Sequence, residues 1–270
     1  MNLILLHLLG SAGYAALAAY HWHGLNRQNG VLSARGSVLV HLLPVLPLAV
    51  HGLVLSQSML RADGLYLGVG NAVSVIIALA VLIYGVGSFF YRLEALHVLI
   101  LPAAAVLSLL PLAFASPGPL ANTNLLAFRA HLLIALLAYS LFTIASFHVL
   151  LMAIVERRLH SGTLPGFLQR LPPLLTMEKL LFRIIAAGFV LLTLTLGSGI
   201  VFSEELFATP LKFTHKTVFG ILSWVIFAAL LAGRAFYGWR GRVAVRWTLA
   251  GYLSLVLAYI GSRFVAEVLL

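Results

Sequence analysis

The residues equipped for chemistry in this chain are its histidines. There are ten: His7, His21, His23, His41, His51, His97, His131, His148, His160 and His215. Cysteine is absent, which removes disulfides, thiolate metal sites, iron–sulfur clusters and thiol relays. The seven acids are Asp63, Glu94, Glu156, Glu178, Glu204, Glu205 and Glu267, and each sits at or near the end of an apolar run. Hydrolytic catalysis therefore lacks its parts: there is no paired carboxylate, HExxH or GxSxG. An ion-coupled carrier is disfavoured on the same ground, because a coupling ion needs a titrating or coordinating group inside the membrane. Nor is any apolar run broken in its middle by a Gly/Pro pair. Imidazole remains, which can ligate a metal, carry a proton or simply fill a hydrogen-bonded core position.

Those imidazoles must be positioned by membrane-spanning helices. Hydrophobic residues make up 62% of the 270 residues and charged residues 9%, with mean hydropathy +1.06. Soluble domains carry roughly 25% charged residues, so a soluble enzyme, a disordered chain and a nucleic-acid-binding protein are all excluded. Eight apolar runs stand out, at 3–22, 38–55, 65–84, 94–114, 127–152, 180–201, 215–233 and 245–265. Each is about long enough to cross the hydrocarbon, and in lipid each should be a helix. The pattern predicts an all-α, polytopic membrane protein: a bundle of eight transmembrane helices forming one domain over 1–270. Met1 and Asn2 supply no positive flank, so 3–22 reads as a span and not a leader.

The net charge of +10 is explained by topology. Twelve of the 17 Lys and Arg residues fall in or beside the loops after spans 1, 3, 5 and 7, including Arg157, Arg158, Arg240 and Arg242. The positive-inside rule places those loops in the cytoplasm and both termini on the periplasmic side of a bacterial inner membrane. Only the 156–179 loop is long, and it reads as a surface connector whose Phe167, Leu168 and Leu171 could dip into the interface.

With that topology the histidines sort by depth. His21, His23 and His160 lie in or beside cytoplasmic loops and read as solvated. His7 and His51 belong to the outer half of their spans; His41, His97 and His148 lie toward the cytoplasm. His131 and His215 open spans 5 and 7, both running inward, and so share a depth near the outer interface. Two helices presenting one histidine each at matched depth can hold heme iron between them. Arg129, Lys212 and Lys216 lie close enough in sequence to pair with propionates, and Phe128, Phe213 and Phe219 offer apolar faces. The plainer alternative is interfacial histidines bonded to backbone or lipid. A zinc site is disfavoured, because it usually needs three or more ligands.

The C-terminal half carries a resemblance. Leu191-Leu-Thr-Leu-Thr-Leu-Gly-Ser-Gly199, Thr214-His-Lys-Thr217, Leu222-Ser-Trp224, Gly238-Trp-Arg-Gly-Arg242 and Ala258-Tyr-Ile-Gly261 resemble, in order, the cytochrome c assembly family of heme-handling membrane proteins (CcsA and HemX types). Leu171-Pro-Pro-Leu-Leu-Thr-Met-Glu-Lys179 resembles that family's short eight-span branch, the YpjD type. The resemblance implies a role in c-type cytochrome biogenesis and puts His131 on the family's outer fifth-span histidine. Residues 202–214 take the place of the family's tryptophan-rich outer loop, yet contain no tryptophan.

Together these readings predict a heme-binding, non-enzymatic inner-membrane protein of cytochrome c assembly. Its proposed iron ligands are His131 and His215, its propionate partners Arg129, Lys212 and Lys216. Its partners would be the lipid bilayer and a separate subunit that holds the apocytochrome. Two alternatives stay open: a heme-free regulatory or scaffolding subunit of the same fold, and a small-molecule transporter.

Overall fold

A computed structural model describes residues 2–26, 42–91, 96–160, 172–201 and 215–264. The main helices are α1 (Leu3–Asn26), α2 (Val45–Met59), α3 (Val69–Ser88), α4 (His97–Leu107), α5 (Leu110–Ala113), α6 (Leu126–His160), α7 (Leu174–Val201), α8 (His215–Tyr237) and α9 (Arg242–Val256). A π turn, Leu257–Gly261, and a short helix, Ser262–Phe264, follow α9. Among the described residues the strands are β1 (Leu60–Arg61) and β2 (Gly64–Leu65), a two-stranded antiparallel hairpin. The fold is all-α, as expected. Six helical stretches are long and apolar enough to cross a membrane: Leu3–His23, Val69–Ser88, Leu126–Leu159, Leu174–Val201, His215–Tyr237 and Arg242–Gly261. The apolar helices at Val45–Met59 and His97–Ala113 are shorter.

Several boundaries differ from expectation. Both ends of the 156–179 connector are helical: α6 runs on through His160 and α7 begins at Leu174. A helix of 35 residues such as α6 is about 52 Å long, well beyond a hydrocarbon core of roughly 30 Å. Charged residues therefore lie inside its protruding end without leaving the helix. Pro172 and Pro173 sit just ahead of α7, where a missing N–H costs no helical bond. Phe167, Leu168 and Leu171 lie outside the described residues.

Helix packing divides into two groups that meet where α3 packs on α6. In the first, α1 packs against α2 and α4, and α3 against α2, α4 and α5. In the second, α6 packs on α7 and α9, and α8 packs on both α7 and α9. This second group is a four-helix arrangement with α6 and α8 on its diagonal. Across that diagonal Phe142 and Phe227 stack, centroids 3.9 Å apart and both 0% exposed. Glycines bracket the pair: a Cβ on Gly188 of α7 would lie 3.1 Å from the Phe142 ring, and one on Gly251 of α9 would lie 2.8 Å from the Phe227 ring. Small residues here let two large rings fill the centre.

One end of the bundle carries the hairpin. Backbone links from Tyr66 to Met59 and from Leu120 to Leu65 tie it to its neighbours. Ser116 Oγ accepts from the Gly68 N–H (2.8 Å) and from Asn71 Nδ2 (3.2 Å). The Tyr66 hydroxyl donates to the Asp63 carboxylate, and the Arg61 guanidinium lies 4.3 Å from the Tyr66 ring centroid. The tyrosine's bond, with a lesser contribution from Asp63's own backbone N–H, holds the Asp63 carboxyl below its usual value. A carboxylate with a depressed value contributes its bond above about pH 4 and loses it as pH falls through the lowered value. We expect the hairpin's tyrosine fluorescence to change only in that acid range. Asp63→Asn should abolish the transition, and a transition that survives the substitution would assign it elsewhere.

The opposite end is basic, with Arg157, Arg158, Lys179, Arg183, Arg240, Arg242 and Arg246 exposed. Two acids there are paired: Glu178 with Arg234 at 2.5 Å and Glu156 with Arg242 at 3.5 Å.

Candidate functional site

Four histidines in the helices are buried and bound: His7, His51, His97 and His148, each at 3% exposure or less. His7 Nδ1–H donates to the Ser108 carbonyl at 3.0 Å, and His148 Nε2–H to the Met177 carbonyl at 2.9 Å. His51 has Tyr14 Oη 3.3 Å from Nδ1 and Ser74 Oγ 2.7 Å from Nε2. His97 has the Tyr84 hydroxyl 2.9 Å from Nδ1, and the His21 ring stacks on it with centroids 4.2 Å apart. His7, His51 and His97 cross-link the first helix group, joining α1 to α4, α2 to α3, and α3 to α4. Thus His21, expected as solvated, instead packs on His97. Among the described residues no three His, Asp or Glu side chains converge as a metal site. His41 lies outside them.

His131 differs from these four. It sits in the second turn of α6 at the hairpin end, half-buried. Its Nδ1 lies 2.8 Å from Ser198 Oγ on α7. Ser198 Oγ–H donates to the Thr195 carbonyl at 3.1 Å. Metal-binding imidazoles are commonly held in this way, with one ring nitrogen anchored by a neighbour. Gly199 lies directly alongside, where a Cβ would come within 3.4 Å of His131 Cε1.

The depth match with the start of α8 follows from the Phe142–Phe227 stack. His131 precedes Phe142 by eleven residues, and Lys216 precedes Phe227 by eleven. Both helices run the same way, so eleven residues, about three turns or 16 Å, bring each chain to the same level. Eleven residues also return to nearly the same face. Lys216 therefore lies on the Phe227 stripe facing α6, whereas His215 is rotated about 100° from it. His215 is exposed as the first residue of α8. Arg129 is exposed, and its Nε–H donates to the Thr123 carbonyl at 2.6 Å. Phe128 is buried and Phe219 half-buried. Lys212 and Phe213 lie outside the described residues. His131, Ser198 and Gly199 thus meet at one mouth of the four-helix group, with the start of α8 at the same level.

Sequence reasoning passed over Ser198. It lies within Gly197-Ser198-Gly199, a stretch quoted above only for its resemblance. The usable signal was a hydroxyl between two glycines, one turn from the end of an apolar run. The Glu178–Arg234 pair was missed because Glu178 was placed in a loop. Trp224 stacks on Phe189, and its Nε1–H donates to Thr193 Oγ1 at 2.9 Å.

These features define a multi-pass helical membrane protein with an anchored, half-buried imidazole at one mouth of its bundle. Residues 39–270 match the cytochrome C assembly protein family, and the chain belongs to that family. It is 37% identical over 139 residues to inner membrane protein YpjD of Escherichia coli strain K12, a match covering 52% of each chain. It is 33% identical over 140 residues, again 52% of each, to an uncharacterized 28.8 kDa protein of Azospirillum brasilense. It is 32% identical over 92 residues to the cytochrome c biogenesis protein CcsA of Gloeobacter violaceus, which covers 34% of this chain and 27% of that one. The chain thus spans about half the length of the first of these relatives and less of CcsA. No solved structure matches it.

Proposed function

We propose that this protein holds heme near the periplasmic face of a bacterial inner membrane, as a non-enzymatic component of c-type cytochrome assembly. The observation that carries the reading is the hydrogen bond between His131 on α6 and Ser198 on α7, which holds a half-buried imidazole at the bundle mouth. The donor types suit an iron porphyrin: the imidazole of His131, that of His215 at matched depth, whose rotation of about 100° requires α8 to turn to bring it toward α6, and cations for propionates in Arg129 and Lys216, with Lys212 close in sequence. Bound heme would supply an iron centre that His131 and His215 would hold. The chain's own part is to fix the His131 ring, to cover the porphyrin edge with Phe128 and Phe219, and to neutralise the propionates.

The same reading takes the chain as one domain of eight crossings, with Val45–Met59 and His97–Ala113 as the two shorter ones and both termini outside. The basic end then lies in the cytoplasm, in keeping with the positive-inside rule. A separate membrane subunit would present the apocytochrome.

A small-molecule pathway between α6 and α8 is blocked by the buried Phe142–Phe227 stack. The tryptophan-free 202–214 segment favours a heme-free scaffolding subunit as the rival. Heme content after heme-replete expression separates the two. Near-stoichiometric heme is expected in the wild-type protein, falling by at least tenfold in His131→Ala/His215→Ala. Colourless wild-type protein would leave only the rival.

A further inference from the structure

The basic end of the second helix group carries more cations than its own acids can pair. Glu178 and Glu156 are taken by Arg234 and Arg242. Arg157, Lys179, Arg183, Arg240 and Arg246 stand exposed there, and among the described residues no carboxylate pairs with them. We propose that the corner where α8 turns into α9 binds the headgroup of an anionic phospholipid through Arg240, Arg242 and Arg246. The proposal is independent of the heme reading and of which face of the membrane this end meets.

The corner is fixed from several sides. Gly238, at φ +66°, turns the chain out of α8, and the Trp239 N–H closes the turn by donating to the Gly233 carbonyl at 3.1 Å. The Trp239 ring fills the notch that Gly233 leaves, where a Cβ would overlap it. It also packs on Trp247 of α9, centroids 5.1 Å apart, while Arg234 donates to the Trp239 carbonyl. Arg240 and Arg242 flank Gly241 on this pinned turn, both exposed. Arg246 is also exposed and lies one turn, about 6 Å, further along the same face of α9. That face continues with exposed Ala250 and Leu253. Cations followed by an exposed apolar stripe suit a helix that meets lipid along its length, with phosphate at the arginines and acyl chain on the stripe. The positive-inside rule asks only for charge in a loop. A guanidinium one turn inside a lipid-facing helix also needs a counter-charge at headgroup level, which a phosphate supplies bidentately. The exposed rings of Phe236 and Tyr237 mark that level. Three guanidiniums less the Glu156 charge, which lies 3.5 Å from Arg242, leave two positive charges, matching a headgroup with two phosphates. On α7, Lys179 and Arg183 also share a face, but that helix has one guanidinium fewer free and no tryptophan.

The test uses the full chain in a neutral detergent, with native mass spectrometry counting bound lipid. Phosphatidylcholine, phosphatidylglycerol and diphosphatidylglycerol are titrated in turn. Diphosphatidylglycerol is expected to bind most tightly and phosphatidylcholine least. Arg240→Gln/Arg246→Gln should weaken diphosphatidylglycerol by about 25-fold, at about fivefold for each cation near a headgroup. Lys179→Gln/Arg183→Gln removes the same charge from α7 and should weaken it by less than about threefold. Arg240→Lys/Arg246→Lys keeps the charge but loses the planar fork, so it should fall between wild type and the glutamine pair. All four side chains are exposed, and each variant should keep the wild-type unfolding midpoint. Equal losses from the two glutamine pairs would show that lipid answers to net charge alone and would overturn the assignment of the corner. Binding that does not favour anionic lipid over phosphatidylcholine would overturn it too, leaving the corner to an acidic soluble partner.

Discussion

Gly70→Ala is expected to lower the thermal unfolding midpoint in detergent by about 5–10 °C. Gly70 lies in the first turn of α3, and its missing side chain is the space in which α5 sits. A Cβ there would lie 2.6 Å from the Phe114 carbonyl oxygen, 2.7 Å from the Leu110 carbonyl oxygen and 2.9 Å from Pro111 Cα. All three are backbone atoms, so no rotamer change relieves the overlap, and one helix must move from the other. Overpacking of this kind costs about 3 kcal/mol. It exceeds the gain of at most about 1 kcal/mol from alanine's better helix propensity. At roughly 2–4 °C per kcal/mol for a chain of this size class, the stated drop follows. Gly52→Ala is the internal control, because a Cβ on Gly52 meets nothing within 4 Å and should leave the midpoint unchanged or slightly raised. Equal midpoints for the two variants would mean that α3 and α5 do not meet as closely as stated.

Arg234→Met is expected to be destabilising by about 3 kcal/mol, because it strands a charge. Glu178 is 7% exposed and faces Arg234 Nη1 at 2.5 Å. Arg234 also donates to the Trp239 carbonyl at 3.3 Å and lies 4.8 Å from the Phe182 ring centroid. It thereby joins α7, α8 and the turn into α9. Without the guanidinium, the carboxylate must either stay charged in a low-dielectric setting or take up a proton. Glu178→Gln/Arg234→Met should recover most of the loss, since removing both charges is far cheaper than removing one. The measurement is a double-mutant cycle by thermal unfolding. Additive losses would show that the pair contributes nothing as a pair.

Helix type was legible because apolar runs of about 20 residues leave the backbone no other choice in lipid, whereas two of the eight expected spans are shorter helices, at Val45–Met59 and His97–Ala113. The helix ends were not, and the reason is length. Glu156 and Glu178 read as loop residues because they are charged, yet each lies in a helix that outruns the hydrocarbon and each finds an arginine there. Depth was legible for His131 and the start of α8, since 1.5 Å per residue is a property of any helix. Rotation was not, because facing depends on which neighbours a helix packs against. His215 illustrates this, being turned about 100° from the stripe that Lys216 shares with Phe227. The four buried histidines illustrate it too: His51 binds Tyr14 and Ser74 from two other helices, a convergence that spacing along one helix cannot reveal.

The ligation of the iron is read most directly from the low-temperature electron paramagnetic resonance spectrum of the oxidised, heme-loaded protein. Two imidazoles on one iron should give a low-spin signal, with His131→Ala and His215→Ala each converting it to high spin. A low-spin signal that survives both substitutions would place the iron on other residues and contradict the assignment of the site.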